Sequence, residues 1–127
     1  MQDYRRLEVW RLMHEITLDV YRTTKSFPSE EKFGLTSQLR RASASVGANL
    51  AEGCGRGSDA DFAKFVQIAI GSASEVDYHL LLAHDLGYLP DETHEQLAQR
   101  LGSVRRMLNA LITRLRTPSQ QPRANSQ

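Results

Sequence analysis

The chain has 127 residues, 40% hydrophobic and 24% charged, with a formal net charge of +1 and a single cysteine. That length fits one domain able to bury roughly two-thirds of its unfolded surface, and the composition excludes a disordered polyelectrolyte. The near-neutral balance gives no bulk pull toward nucleic acid, and a lone Cys54 excludes an intrachain disulfide and a thiolate metal cluster.

A first helix is predicted from about Arg6 to Ser26. Val9, Met13, Ile16 and Val20 form one stripe, with Trp10, Thr17, Tyr21 and Thr24 beside it. Trp10 and Tyr21 read as large rings that fill a bundle while keeping a polar atom at its edge. Phe27-Pro28 ends the helix, because the residue before proline is pushed out of the α region. The short polar link Ser29–Gly34 turns the chain straight back.

The second helix begins at Leu35, with Leu35, Leu39, Ala42, Val46 and Leu50 on its apolar side. Gln38, Arg41, Ser45, Asn49, Glu52 and Arg56 form an adjoining polar stripe, and Arg40 lies off it. The remaining circumference is small: Ser37, Ala44, Gly47, Ala48 and Ala51. Ordinary solvent faces carry long charged side chains, so this helix is expected to pack on more than one side, a second copy of the chain being one partner. Gly53, Gly55 and Gly57 are read as a tight turn with exposed backbone that stops the helix. A phosphate cradle is disfavoured there, since no G-x-x-x-x-G-K-[ST] pattern occurs and the glycines follow a helix rather than a strand.

Ser58 is a predicted N-cap for the third helix, with Asp59 and Asp61 at its positive end. Phe62, Val66, Ala69, Ala73, Val76, Leu80 and Ala83 step by fours and threes as a bundle seam, widened by Phe65, Ile68, Leu81 and Leu82. Gly71 inside this helix costs ~1 kcal/mol against alanine, which close approach of another helix would explain. Gly87 is the expected C-cap. A fourth helix follows Pro90, with Leu97, Leu101, Val104, Leu108, Leu111 and Leu115 as its seam and Arg114 and Arg116 at its end. Residues 117–127 read as a disordered polar tail. The expected fold over residues 1–116 is all-α, an antiparallel up-down-up-down four-helix bundle.

Charge is uneven along the chain. Residues 35–57 set Arg40, Arg41 and Arg56 against Glu52, whereas residues 58–89 set Asp59, Asp61, Glu75, Asp77 and Asp85 against Lys64. Residues 90–116 are basic again, which points to complementary helices or subunits.

Candidate chemistry is sparse. His14, His79, His84 and His94 are dispersed; no E-x-x-H pair or H-E-x-x-H occurs, so no metal, cofactor or catalytic residue is assigned. Cys54 sits near a helix C-terminus, the end that disfavours a thiolate. The candidate interface or recognition residues are Gln38, Arg40, Arg41, Ser45, Asn49, Glu52 and Arg56. Asn49 and Glu52, Glu52 and Arg56, and Arg41 and Ser45 have the spacing to meet on one face. Buried between chains, that face would set register; left open, its guanidinium groups would take phosphate or carboxylate. The small neighbours favour the interface.

The motifs Asp3-Tyr-Arg-Arg-Leu-Glu-Val-Trp10, Phe33-Gly-Leu-Thr-Ser-Gln-Leu-Arg-Arg-Ala42 and Asn49-Leu-Ala-Glu-Gly53 occur in that order. Gly71-Ser72-Ala73-Ser74-Glu75 and Leu86-Gly87-Tyr88-Leu89 follow. Over residues 3–116 the chain resembles the four-helix bundle family associated with intervening sequences of bacterial 23S rRNA, itself similar to the accessory protein of diversity-generating retroelements. The resemblance implies an antiparallel bundle, a ring-shaped homopentamer and no catalytic residues. It also raises a nucleic acid, or a protein that processes one, as a partner, although this chain's near-neutral charge departs from the accessory protein. The expectation is thus a cytoplasmic, non-catalytic oligomeric adaptor with no membrane segment or small-molecule substrate, and nucleic-acid binding through clustered arginines is its alternative.

Overall fold

The four periodic stretches fold as four helices in the computed structural model, which describes residues 3–117. These are α1 (Glu8–Thr24), α2 (Leu35–Cys54), α3 (Asp59–Asp85) and α4 (Asp91–Arg116). Single 3-10 turns at Tyr4–Arg6 and Ser29–Glu31 precede α1 and α2. The tail expected over residues 117–127 lies outside the described residues, Thr117 excepted.

Helix α1 packs on α2, α2 on α3, α3 on α4 and α4 back on α1, which is the antiparallel up-down-up-down arrangement. The backbones of α1 and α3, and of α2 and α4, do not approach closely among the described residues, so the helices stand roughly at the corners of a square. Met13, Ile16, Leu39, Val46, Leu50, Val66, Leu80, Leu101 and Leu108 fill its centre at 1% exposure or less. Each belongs to the stripes read from the spacing. Burying such side chains contributes roughly 1.5–3 kcal/mol each, which is why helices of only moderate propensity hold.

The helix ends follow local chemistry. The Ser58 hydroxyl accepts from the Asp61 amide at 3.1 Å, capping α3. At the other end Gly87 adopts φ +84°, and the Gly87 and Tyr88 amides bond the His84 and Ala83 carbonyls, both at 2.9 Å. This paired pattern satisfies the last carbonyls of α3, and the left-handed backbone selects glycine. Pro90 occupies the N-cap of α4 in extended backbone, where its missing N–H leaves no helical bond unmade. Between α1 and α4, Asp19 accepts from Arg100 at 2.8 Å and from Arg22 at 2.9 Å. The Arg100 hydrogen bond, then that of Arg22, holds its carboxyl below the usual range.

Three local readings change and one holds. Gly53 is not in a turn but a buried residue of α2, lying where Phe62 and Phe65 of α3 press closest. Gly71 is exposed, and no helix of this chain approaches it. Trp10 does pack at the bundle edge, over Gly47 and stacked on His14 at 4.8 Å. Tyr21, in contrast, stays 42% exposed beneath the Arg40 guanidinium and fills no core.

One charge cluster joins the α3–α4 turn. His84 lies 3.0 Å from Asp85 through Nδ1 and 2.6 Å from Asp91 through Nε2, with its ring stacked on His94 at 4.6 Å. Asp91 first, then Asp85, raises the His84 pKa above the ordinary 6.5. A raised folded-state pKa stabilises fully below the unfolded value and is lost as pH rises through the folded one. The melting-temperature gap between wild type and Asp91→Asn should therefore be wider near about pH 5.5 than near about pH 8.5. A gap that widens toward alkaline pH would reverse this assignment.

Candidate functional site

The side chains proposed from the sequence divide between two flanks of α2. On the α1 flank, Arg40 donates from Nε to Thr24 Oγ1 at 2.8 Å and from a terminal nitrogen to the Tyr21 carbonyl at 3.2 Å. Its guanidinium also lies 4.8 Å above the Tyr21 ring. A cation placed on the last carbonyls of α1 satisfies them and complements the helix dipole, so Arg40 ties two helices together.

On the α3 flank, Ser45 and Ser72 share a 2.9 Å hydrogen bond across the helix pair. The Asn49 amide reaches back to the Ser45 carbonyl at 2.9 Å and the Ser45 hydroxyl at 3.1 Å. Glu52 and Arg56 pair at 2.9 Å as their spacing implies, and Arg56 lies 4.8 Å over the Phe65 ring. That exposed i, i+4 pair contributes little by itself. Ser45 is thus engaged by Asn49 and Ser72 rather than by Arg41. Gln38 and Arg41 have no hydrogen-bond or ion-pair partner among the described residues and face outward.

Gln38, Arg41 and Ser45 form one wall of an open groove of about 610 Å³ between α2 and α3. Glu75 belongs to the opposite side, and Phe33, 89% exposed, lies at its lip. The spacing of α2 alone could not nominate Glu75 or Phe33, because which helix flanks the polar stripe is a tertiary fact. Farther round α2, Ala44 and Ala48 are exposed and Ala51 is half-buried. Along α3, Ile68, Tyr78 and Leu81 remain 52%, 58% and 45% exposed.

Other reactive groups sit elsewhere. Cys54 is buried, and desolvation raises its thiol pKa, against nucleophilic use. His79 is 7% exposed with Nδ1 unbonded among the described residues. No group of three or more His, Cys, Asp or Glu side chains suited to a metal occurs among the described residues. No described helix is long and apolar enough to cross a membrane.

An all-α bundle with a polar-and-small outer face on α2 is the class that fold and surface define. Residues 5–110 match the family described as 23S rRNA-intervening sequence protein, and the chain belongs to that family. It is also similar to the crystal structure of a protein of unknown function from the S23 ribosomal protein family of Bacteroides thetaiotaomicron. The two are 27% identical with a TM-score of 0.76, over 83% of this chain and 95% of that one. No curated protein matches the chain.

Proposed function

We propose that the chain is a non-catalytic scaffold or adaptor that works as a homo-oligomer, a homopentamer being the assembly that the sequence resemblance implies. The observation that supports this is the outer side of α2. Ala44 and Ala48 meet water in the single chain, and Ile68, Tyr78 and Leu81 of α3 are exposed as well. Small outward residues let another backbone approach closely beside the longer Gln38 and Arg41, whereas a fully solvated face gains more from long charged side chains along its whole length.

Binding of nucleic acid through clustered arginines has less support. Arg40 and Arg56 are occupied within the chain, and the open Arg41 shares its groove with Glu75. Of the three arginines on this side of the bundle, Arg41 alone is open among the described residues, and it stands beside an acid, a weak local footprint for a phosphate backbone.

Light scattering on the purified protein at micromolar concentration should give a mass of roughly five chains, a closed ring of the kind that heterologous contacts generate. A stable monomer at that concentration would remove the proposal.

A further inference from the structure

We propose that neighbouring copies meet with α2 of one against α3 of the next, and that Arg41 and Glu75 pair across that contact. The inference rests on the self-association proposed above and specifies its polarity and its pairing residues.

Charge supplies the first argument. Arg41 and Glu75 line the same groove from different helices, yet no ion pair joins them. Neither has a hydrogen-bond or ion-pair partner among the described residues. A contact of α2 on α2 would set Arg41 against Arg41, and α3 on α3 would set Glu75 against Glu75. A contact of α2 on α3 instead places opposite charges together, and like-charge juxtaposition is the stronger discriminator.

Shape gives the same polarity. Part of the outward side of α2 is low, with Ala44 and Ala48 exposed beside the longer Gln38 and Arg41. That of α3 is raised by Ile68, Tyr78 and Leu81 on either side of the open Gly71. Raised side chains on one helix fill the hollows of another when the two surfaces differ in this way. Phe33 at the groove lip adds apolar surface that such a contact would remove from water.

The test compares wild type, Arg41→Glu, Glu75→Arg and the double variant by sedimentation over a concentration series, with circular dichroism confirming equal helicity. Each single variant should weaken association at least about tenfold, and the double variant should return to within about threefold of wild type. Single variants that assemble like wild type, or a double variant as dissociated as the singles, would overturn the pairing while self-association stands. A monomeric wild type would overturn both.

Discussion

Replacing Gly53 with alanine is expected to destabilise the protein by about 1–3 kcal/mol, the usual cost of overpacking a filled contact. Alanine is the better helix former by ~1 kcal/mol, so the packing cost must exceed that gain. The added Cβ would stand 2.7 Å from Phe62 Cδ1 and 3.0 Å from Phe65 Cβ. A phenyl ring can turn aside, but Phe65 Cβ is bonded to the α3 backbone and cannot move alone. Relief therefore requires α2 and α3 to part along the most extensive helix–helix contact of the bundle. Gly71→Ala supplies the opposite sign: its Cβ would meet nothing within 4 Å, and the isolated chain should gain roughly 0.5–1 kcal/mol. Denaturant midpoints of the two variants, measured in dilute protein, separate the cases. Shifts of the same sign would mean that α2 and α3 are not held this close.

This pair of glycines shows where the sequence was legible. Apolar steps of four and three marked all four helices, and the residues they selected are those at the centre of the square, because burial follows period. Ser58 and Gly87 were legible as caps, since a cap depends on chemistry within a few residues of itself. Gly53 was not legible as a packing residue. A glycine beside two other glycines looks like a turn, and only the arrival of Phe62 from the next helix makes it a close contact. The same limit applied to Arg40. Its position on the wheel placed it off the polar stripe, but nothing local showed that Thr24 and the end of α1 would lie within reach. In the candidate site, the α2 wall could be read from spacing, and the Glu52–Arg56 pair formed as read. The α3 side could not, because Glu75 enters it through the angle at which two helices cross.

The unequal fates of the arginines bear on function. Sequence arithmetic counts Arg40, Arg41 and Arg56 alike, yet one serves the end of α1 and another lies on Phe65. Of these three, what remains for a partner among the described residues is Arg41, in a groove it shares with the unpaired Glu75 and the exposed Phe33. Such a mixture matches a partner carrying the same elements in complementary order more readily than it matches a polyanion.

Glu31→Ala should be costly for a reason unrelated to the groove. Gly34 stands at the N-cap of α2 with no side chain to offer. Glu31 takes over that role, accepting from the Leu35 amide at 3.1 Å through Oε1. Through Oε2 it accepts from the Tyr88 hydroxyl at 3.0 Å, so the α1–α2 link, the start of α2 and the α3–α4 turn share one carboxylate. Phe27 and Leu89 are buried at the same end of the bundle, and Phe27 meets the Tyr88 ring at 5.6 Å. Loss of the cap alone should cost about 1–2 kcal/mol, with loss of the Tyr88 contact adding in the same direction. The two effects are separable. Hydrogen bonding to Glu31, then burial, raises the Tyr88 pKa above the ordinary 10.0, so removing the carboxylate should let that phenol ionise at lower pH. Ultraviolet titration of Glu31→Ala against wild type reads the Tyr88 change directly, and Tyr88→Phe should abolish it. A destabilised Glu31→Ala with an unmoved tyrosine titration would restrict Glu31 to capping; an undisturbed denaturant midpoint would deny it that role as well.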